Sequence, residues 1–107
     1  MLELTNKGIF SIEEVIKFAS HNTADRFRII DRGYVREGYF ADLVIFETGI
    51  KHKVTNEEQK SKCGWTPFEG WELSSRVNST IVNGNVLLEE GELHPEKRSS
   101  ERLVFNK

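Results

Sequence analysis

The stretch "STIVNGNVLLEEG", residues 79–91, constrains the fold more than any other part of this chain. Asn83-Gly84 lies between two apolar runs, and both residues tolerate the positive φ that a two-residue hairpin turn demands. The spacing predicts antiparallel arms at Thr80–Val82 and Asn85–Leu88. A second β signal precedes it. Leu43, Val44, Ile45 and Phe46 form a continuous apolar run bounded by Asp42 and Glu47, a pattern expected of a strand buried on both faces. "KHKV" (51–54) and "RLVF" (102–105) are further short strand candidates.

The N-terminal third follows a different period. In "FSIEEVIKFAS" Ser11 can cap the backbone and Glu14 can reach back to it, making a capping box, with Phe10 and Val15 placed to staple the start. Ile12, Val15, Ile16 and Ala19 follow helical spacing, so a helix is expected over Ile12–Ser20 with one apolar face. "HNTADRF" reads as a second short helix capped by Asn22, with Ala24 and Phe27 turned inward, His21 helping to end the first helix, and Gly33 closing the helical region. The expected fold class is α+β, with helices over 1–32 followed by a small, mostly antiparallel sheet over 33–107.

An irregular segment at 56–75 has no period at all. Its "SKCGWTPFEGW" holds both tryptophans, the single cysteine and two glycines. A connection this long is usually functional or disordered, and disordered segments lack the aromatic residues that Trp65, Phe68 and Trp71 supply. These rings are therefore expected to lie against something. Packing is the favoured reading, and stacking of a ligand by Trp65 and Trp71 is the alternative. The candidate packing or subunit-interface residues are Trp65, Phe68, Trp71, Ile12, Val15 and Ile16.

Reactive chemistry finds little support. His21, His52 and His94 are widely separated, with no His-x-His, no His-Glu-x-x-His and no paired cysteines, so no local metal site is argued. Cys63 has no flanking nucleophile signature and reads as a semi-buried, inert thiol. Asp42 is placed to hold the turn before its strand through backbone amides. No catalytic residue, metal ligand or cofactor site is expected in this chain. A net charge of −2 offers no basic footprint for nucleic acid and no polybasic patch for a membrane. The apolar runs are far shorter than the ~20 residues of a membrane span. "MLELTNKG" lacks the pattern of a signal peptide, and one cysteine suits a reducing compartment, so a cytoplasmic location is expected.

The order of these pieces resembles a known family. "HNTADRFRIIDRGYVREGYFADLVIFE" is similar to the C-terminal end of amidohydrolase-superfamily enzymes, and "TIVNGNVLLEEG" to the strand pair that closes them. "KCGWTPFEG", "SRVNSTIVNGNVL" and "RLVFNK" together resemble the C-terminus of bacterial dihydroorotases. Thr23 stands where relatives commonly carry proline, a departure that leaves a helix intact because proline at the first helical position is favoured but not required.

The resemblance implies that 1–32 is the last outer helix of a (β/α)8 barrel with the short helix after it, and that 33–107 is the C-terminal part of a flanking β-sandwich. It implies a zinc-dependent parent that reversibly closes N-carbamoyl-aspartate to dihydroorotate in pyrimidine synthesis. The parent's ligands would be an early His-x-His, a carboxylated lysine, two further histidines and a late aspartate, none of which is in this sequence. The chain's partners would then be the barrel domain and, through the same apolar faces, further copies in a homo-oligomer, and the chain alone would be inactive. Alternatives are an independent interaction module anchored by Trp65, Phe68 and Trp71, the tail of a hydantoinase or allantoinase, or a dihydroorotase homologue that has lost its ligands.

Overall fold

The structure, a computed structural model, describes residues 1–107. Helices lie in the first quarter of the chain and an antiparallel sheet is drawn from residues 43–93, so the chain is α+β. A short helix α1 (Leu2–Asn6), which no local sequence signal predicts, comes first. The capping box then forms as expected. The Ser11 hydroxyl accepts from the Glu14 amide (3.2 Å) and the Glu14 carboxylate accepts from the Ser11 amide (2.8 Å), starting α2 (Ile12–Ile16).

Beyond α2 the backbone departs from the two separate helices expected. α2 runs without a break through a π turn (Lys17–His21) into α3 (Asn22–Phe27). Asn22 has helical dihedrals (φ −62°, ψ −35°), whereas a capping residue needs extended ones, so it does not cap, and His21 ends nothing. The wider turn leaves the Phe18 carbonyl to accept from the Thr23 hydroxyl (3.2 Å). Termination comes at Arg28, in the left-handed region at φ 53°, well before Gly33. The Arg28 and Ile29 amides donate to the Asp25 and Ala24 carbonyls, a Schellman closure. Ala24 is buried as expected, but Phe27 is 62% exposed. Gly33 explains the first outcome: at φ 83° it lies so close to the helix that a Cβ there would meet the Ala24 Cβ at 2.4 Å.

The sheet has strand order β1-β2-β3-β4, every pair antiparallel: β1 (Leu43–Lys53), β2 (Glu72–Val82), β3 (Asn85–Glu89) and β4 (Glu92–Leu93). The hairpin turn falls at Asn83-Gly84 with φ 48° and 81°. "KHK" is not a separate strand but the far end of β1, where His52 faces Leu73 and Lys53 faces Glu72. Two register shifts divide β1, and Gly49 (φ 71°) sits inside the second.

The expectation that Leu43–Phe46 is buried on both faces fails. Val44 and Ile45 are 54% and 53% exposed because β1 is the outer strand of a single-layer sheet. "RLVF" is no sheet strand either. Phe105 forms one isolated bridge with Ile29, flanked by bonds from the Ile30 amide to the Val104 carbonyl and from the Asn106 amide to the Arg28 carbonyl. This tail straps the end of α3 instead.

Only Val15, Ala24, Val54, Ser75 and Ser79 are buried. The radius of gyration of 15.4 Å exceeds the ~13 Å of a compact domain of this length. No helix is long and apolar enough to cross a membrane.

Candidate functional site

Of the segment expected to be irregular, 56–75, the last four residues belong to β2; the rest is an ordered loop, closed at its base. The Val54 amide donates to the Trp71 carbonyl (2.9 Å) and the Gly70 amide to the Val54 carbonyl (2.8 Å), so β1 and β2 stay joined beneath it. Polar side chains satisfy its interior. Asn56 Oδ1 accepts from the Thr66 amide (2.9 Å), and Glu58 accepts from the Thr55 amide (3.2 Å) while pairing with His52 Nε2 (3.1 Å). The Gln59 side-chain amide donates to the Thr55 carbonyl (3.0 Å). Compact loops of this kind, organised by their own side chains, are commonly functional.

Its apolar residues do not turn inward. Trp65, Phe68 and Trp71 are 59%, 51% and 57% exposed, although Phe68 and Trp71 meet edge to face at 5.2 Å. Phe68 and Trp71 also line a hollow of about 610 Å3 with Val54, Leu73, Val77 and Leu88, whereas Trp65 does not reach it. On the helical side Val15 is buried, Ile12 half-buried and Ile16 exposed. The aromatic loop and the apolar helix face are thus both incompletely covered, and they are not brought together into one site. Leu73, Val77 and Leu88 give no signal in the sequence because the bulged register of the sheet, not a local period, puts them around one hollow.

Helix α1 holds the near wall. Glu3 accepts from the Ser74 amide (3.0 Å) and hydroxyl, and Asn6 Nδ2 donates to that hydroxyl (2.6 Å). The Ser74 amide is the main reason the Glu3 carboxyl is held below its ordinary value. At the loop tip the Cys63 thiol is exposed rather than semi-buried as expected; it lies 3.1 Å from the Ser61 hydroxyl, and this contact leads the causes that lower its pKa.

A polar node fastens the opposite end of the sheet. Asp42 pairs with Arg32 and accepts from the Asn83 amide (2.7 Å). It therefore holds the hairpin tip, and not, as expected, the turn before its own strand. Beside it the Tyr34 ring stacks on His21 (4.1 Å, 7° between planes) and against the Arg36 guanidinium (4.2 Å), while its hydroxyl donates to Asp25 (2.7 Å). That bond to Asp25 is the first cause of a raised Tyr34 pKa.

These residues do not fit a zinc centre. No three His, Cys, Asp or Glu side chains are grouped so as to hold a metal ion. The three histidines are spent separately: His21 on Tyr34, His52 on Glu58 and His94 near Glu96 (3.4 Å). Nothing here pairs a nucleophile with a base. The arrangement presents apolar surface at Trp65, Phe68 and Trp71.

The chain is 35% identical to a dihydroorotase of Pyrococcus abyssi over 97% of its own length and 25% of the relative's. It is 40% identical to a dihydroorotase of Clostridium acetobutylicum over 81% of this chain and 20% of that one. Among solved structures, the L-hydantoinase of Arthrobacter aurescens superposes with a TM-score of 0.75 at 30% identity, covering 83% of this chain and 20% of the other. The D-hydantoinase of a Thermus species gives 0.75 at 25% identity, covering 88% and 22%. The chain thus spans about a quarter of the length of the dihydroorotases it matches. With the amidohydrolase profile matching residues 1–87, most of the chain, and with cyclic amidohydrolases alike in both sequence and structure, the chain belongs to the amidohydrolase family.

Proposed function

We propose that this chain is the C-terminal structural portion of a dihydroorotase-like cyclic amidohydrolase. In this reading α2 and α3 brace the parent's barrel and the sheet completes its small β-domain. The parent carries out the reversible cyclisation of N-carbamoyl-aspartate to dihydroorotate, and its zinc is held by residues outside this chain.

One observation carries the reading. Similarity to dihydroorotases runs along 97% of this chain but only 25% of theirs, and within that quarter no residues group into a metal site. The exposed rings fit the same reading. Three aromatic side chains a little over half exposed leave on the order of 300 Å2 of surface, about 7 kcal/mol of unrealised burial at 25 cal/mol per Å2. That is comparable with the whole stability of a small domain. A neighbouring body of the same protein, or a further subunit, would cover it.

The test is direct. The purified chain, supplied with zinc, is expected to hydrolyse no dihydroorotate, to retain no stoichiometric zinc by elemental analysis, and to bind a hydrophobic-surface dye. Turnover at the rate of a complete dihydroorotase, by a preparation free of contaminants, would overturn the proposal. A second reading, the tail of a hydantoinase, is favoured by the structural likeness to two hydantoinases. The complete protein's preference between dihydroorotate and a hydantoin decides between the two.

A further inference from the structure

The geometry points to Asn83 as a self-modification site: its conversion to aspartate or isoaspartate is gated by the C-terminal segment from Ser99 to Asn106. An asparagine followed by glycine is the pair most open to this reaction, because no side chain hinders the approach of the glycine amide. The Gly84 nitrogen attacks the Asn83 side-chain carbonyl carbon and a new C–N bond forms. The bond to Nδ2 breaks, and ammonia leaves carrying the displaced proton. Water then opens the five-membered imide on either side, giving aspartate or isoaspartate.

In this fold both reacting groups are engaged. The Gly84 amide donates to the Ala41 carbonyl (3.1 Å). The Asn83 Nδ2 donates to the Ser99 carbonyl (3.3 Å) and to Glu101 Oε1 (3.0 Å), holding the side-chain amide on the C-terminal segment. Ser99 is itself fastened to the hairpin, accepting from Asn85 Nδ2 (2.7 Å) and donating to the Val82 carbonyl (3.1 Å). Ring closure must break the Gly84 bond and free the Asn83 amide.

The gate is weakly held. All of 101–107 is exposed, and beyond Ser99 the segment is fixed mainly by its bonds to Arg28 and Ile30. Segments with few buried contacts open locally at little free-energy cost. Conversion also prevents reclosure. The new carboxylate faces Glu101 and the Ser99 carbonyl with no donor to offer either, and Asp42 sits against the same residue's amide. A neutral donor thus becomes a charge among acceptors, and release of the strap is made permanent.

Peptide mapping by mass spectrometry during incubation at neutral pH tests this. Asn83 in the folded chain is expected to convert at least about tenfold more slowly than in urea, since each hydrogen bond to be broken contributes up to about tenfold. The surface change Glu101→Ala is expected to accelerate conversion several-fold while leaving the circular dichroism spectrum unchanged. In parallel, Asn83→Asp is expected to hasten tryptic cleavage after Arg102. Equal rates in the folded chain and in urea would overturn the proposal. So would a Glu101→Ala rate equal to that of the unsubstituted chain, whatever the folding of Asn83→Asp.

Discussion

Replacing Gly33 with alanine should cost far more than the same change at Gly38, and the comparison isolates one steric contact. Both glycines have φ 83°, so both substitutions pay the same left-handed strain, about 1–2 kcal/mol for an L-residue. At Gly38 a Cβ meets nothing within 4 Å, whereas at Gly33 it meets the Ala24 Cβ at 2.4 Å and the Ser20 carbonyl oxygen at 3.0 Å. Neither neighbour can swing aside: one is the stub of a buried side chain, the other is backbone. Overpacking of this kind adds about 1–3 kcal/mol, taking Gly33→Ala to about 2–5 kcal/mol in all. Against a total stability of about 5–15 kcal/mol for small proteins, that is a large loss in a chain with five buried residues. Urea unfolding followed by far-ultraviolet circular dichroism reads the difference. With a slope of about 1–3 kcal/mol per M, the Gly33→Ala midpoint should lie about 1 M below that of Gly38→Ala, at an unchanged slope. Coincident midpoints would refute the view that Gly33 is required by its approach to the helix and not merely by its dihedral angle.

Other perturbations act on single contacts. Ser11→Ala removes the acceptor of the Glu14 amide and should destabilise the chain by about 1 kcal/mol in the same urea assay; an unmoved midpoint would show that the capping box contributes nothing. The folded-state pKa of Glu3 lies below its unfolded value, chiefly through the Ser74 amide. Its contribution to docking α1 is therefore complete above the ordinary glutamate range and disappears as pH falls through the depressed value. The Ser74 amide resonance should titrate in that acid range, and Glu3→Gln should flatten the curve. The Ser61 hydroxyl favours the Cys63 thiolate, so Ser61→Ala should slow alkylation by iodoacetamide near neutral pH; an equal rate, by mass spectrometry, would exclude that influence. Trp71→Ala should cost about 1 kcal/mol more than Trp65→Ala, because only Trp71 meets another ring; equal midpoints would count against that contact.

The parts legible in the sequence are those where a residue type answers to its immediate neighbours. Asn83 and Gly84 sit in the turn because both accept positive φ, and Ser11 and Glu14 bond each other because they stand three positions apart at the start of a helix. The α+β class and the antiparallel sheet arise from such local signals, and resemblance in the motifs pointed to the family. The candidate site was less legible. Trp65, Phe68 and Trp71 stand out as aromatic residues without a period, but the hollow beside two of them also needs Leu73, Val77 and Leu88 from strands whose register is bulged.

Tertiary contacts decided what no short window contains. Asn22 has a capping residue's chemistry, yet the helix continues through it, because a π turn keeps the backbone helical. Leu43–Phe46 reads as a strand covered on both faces, yet one neighbouring strand and no second layer leave Val44 and Ile45 half in water. "RLVF" has strand composition, but its backbone partners are Arg28 and Ile30 near the end of α3, not the sheet. A sequence specifies which dihedral angles and which surfaces are favourable residue by residue. Whether an apolar surface is covered depends on where distant chain segments arrive, and that is determined only when the whole set of contacts closes.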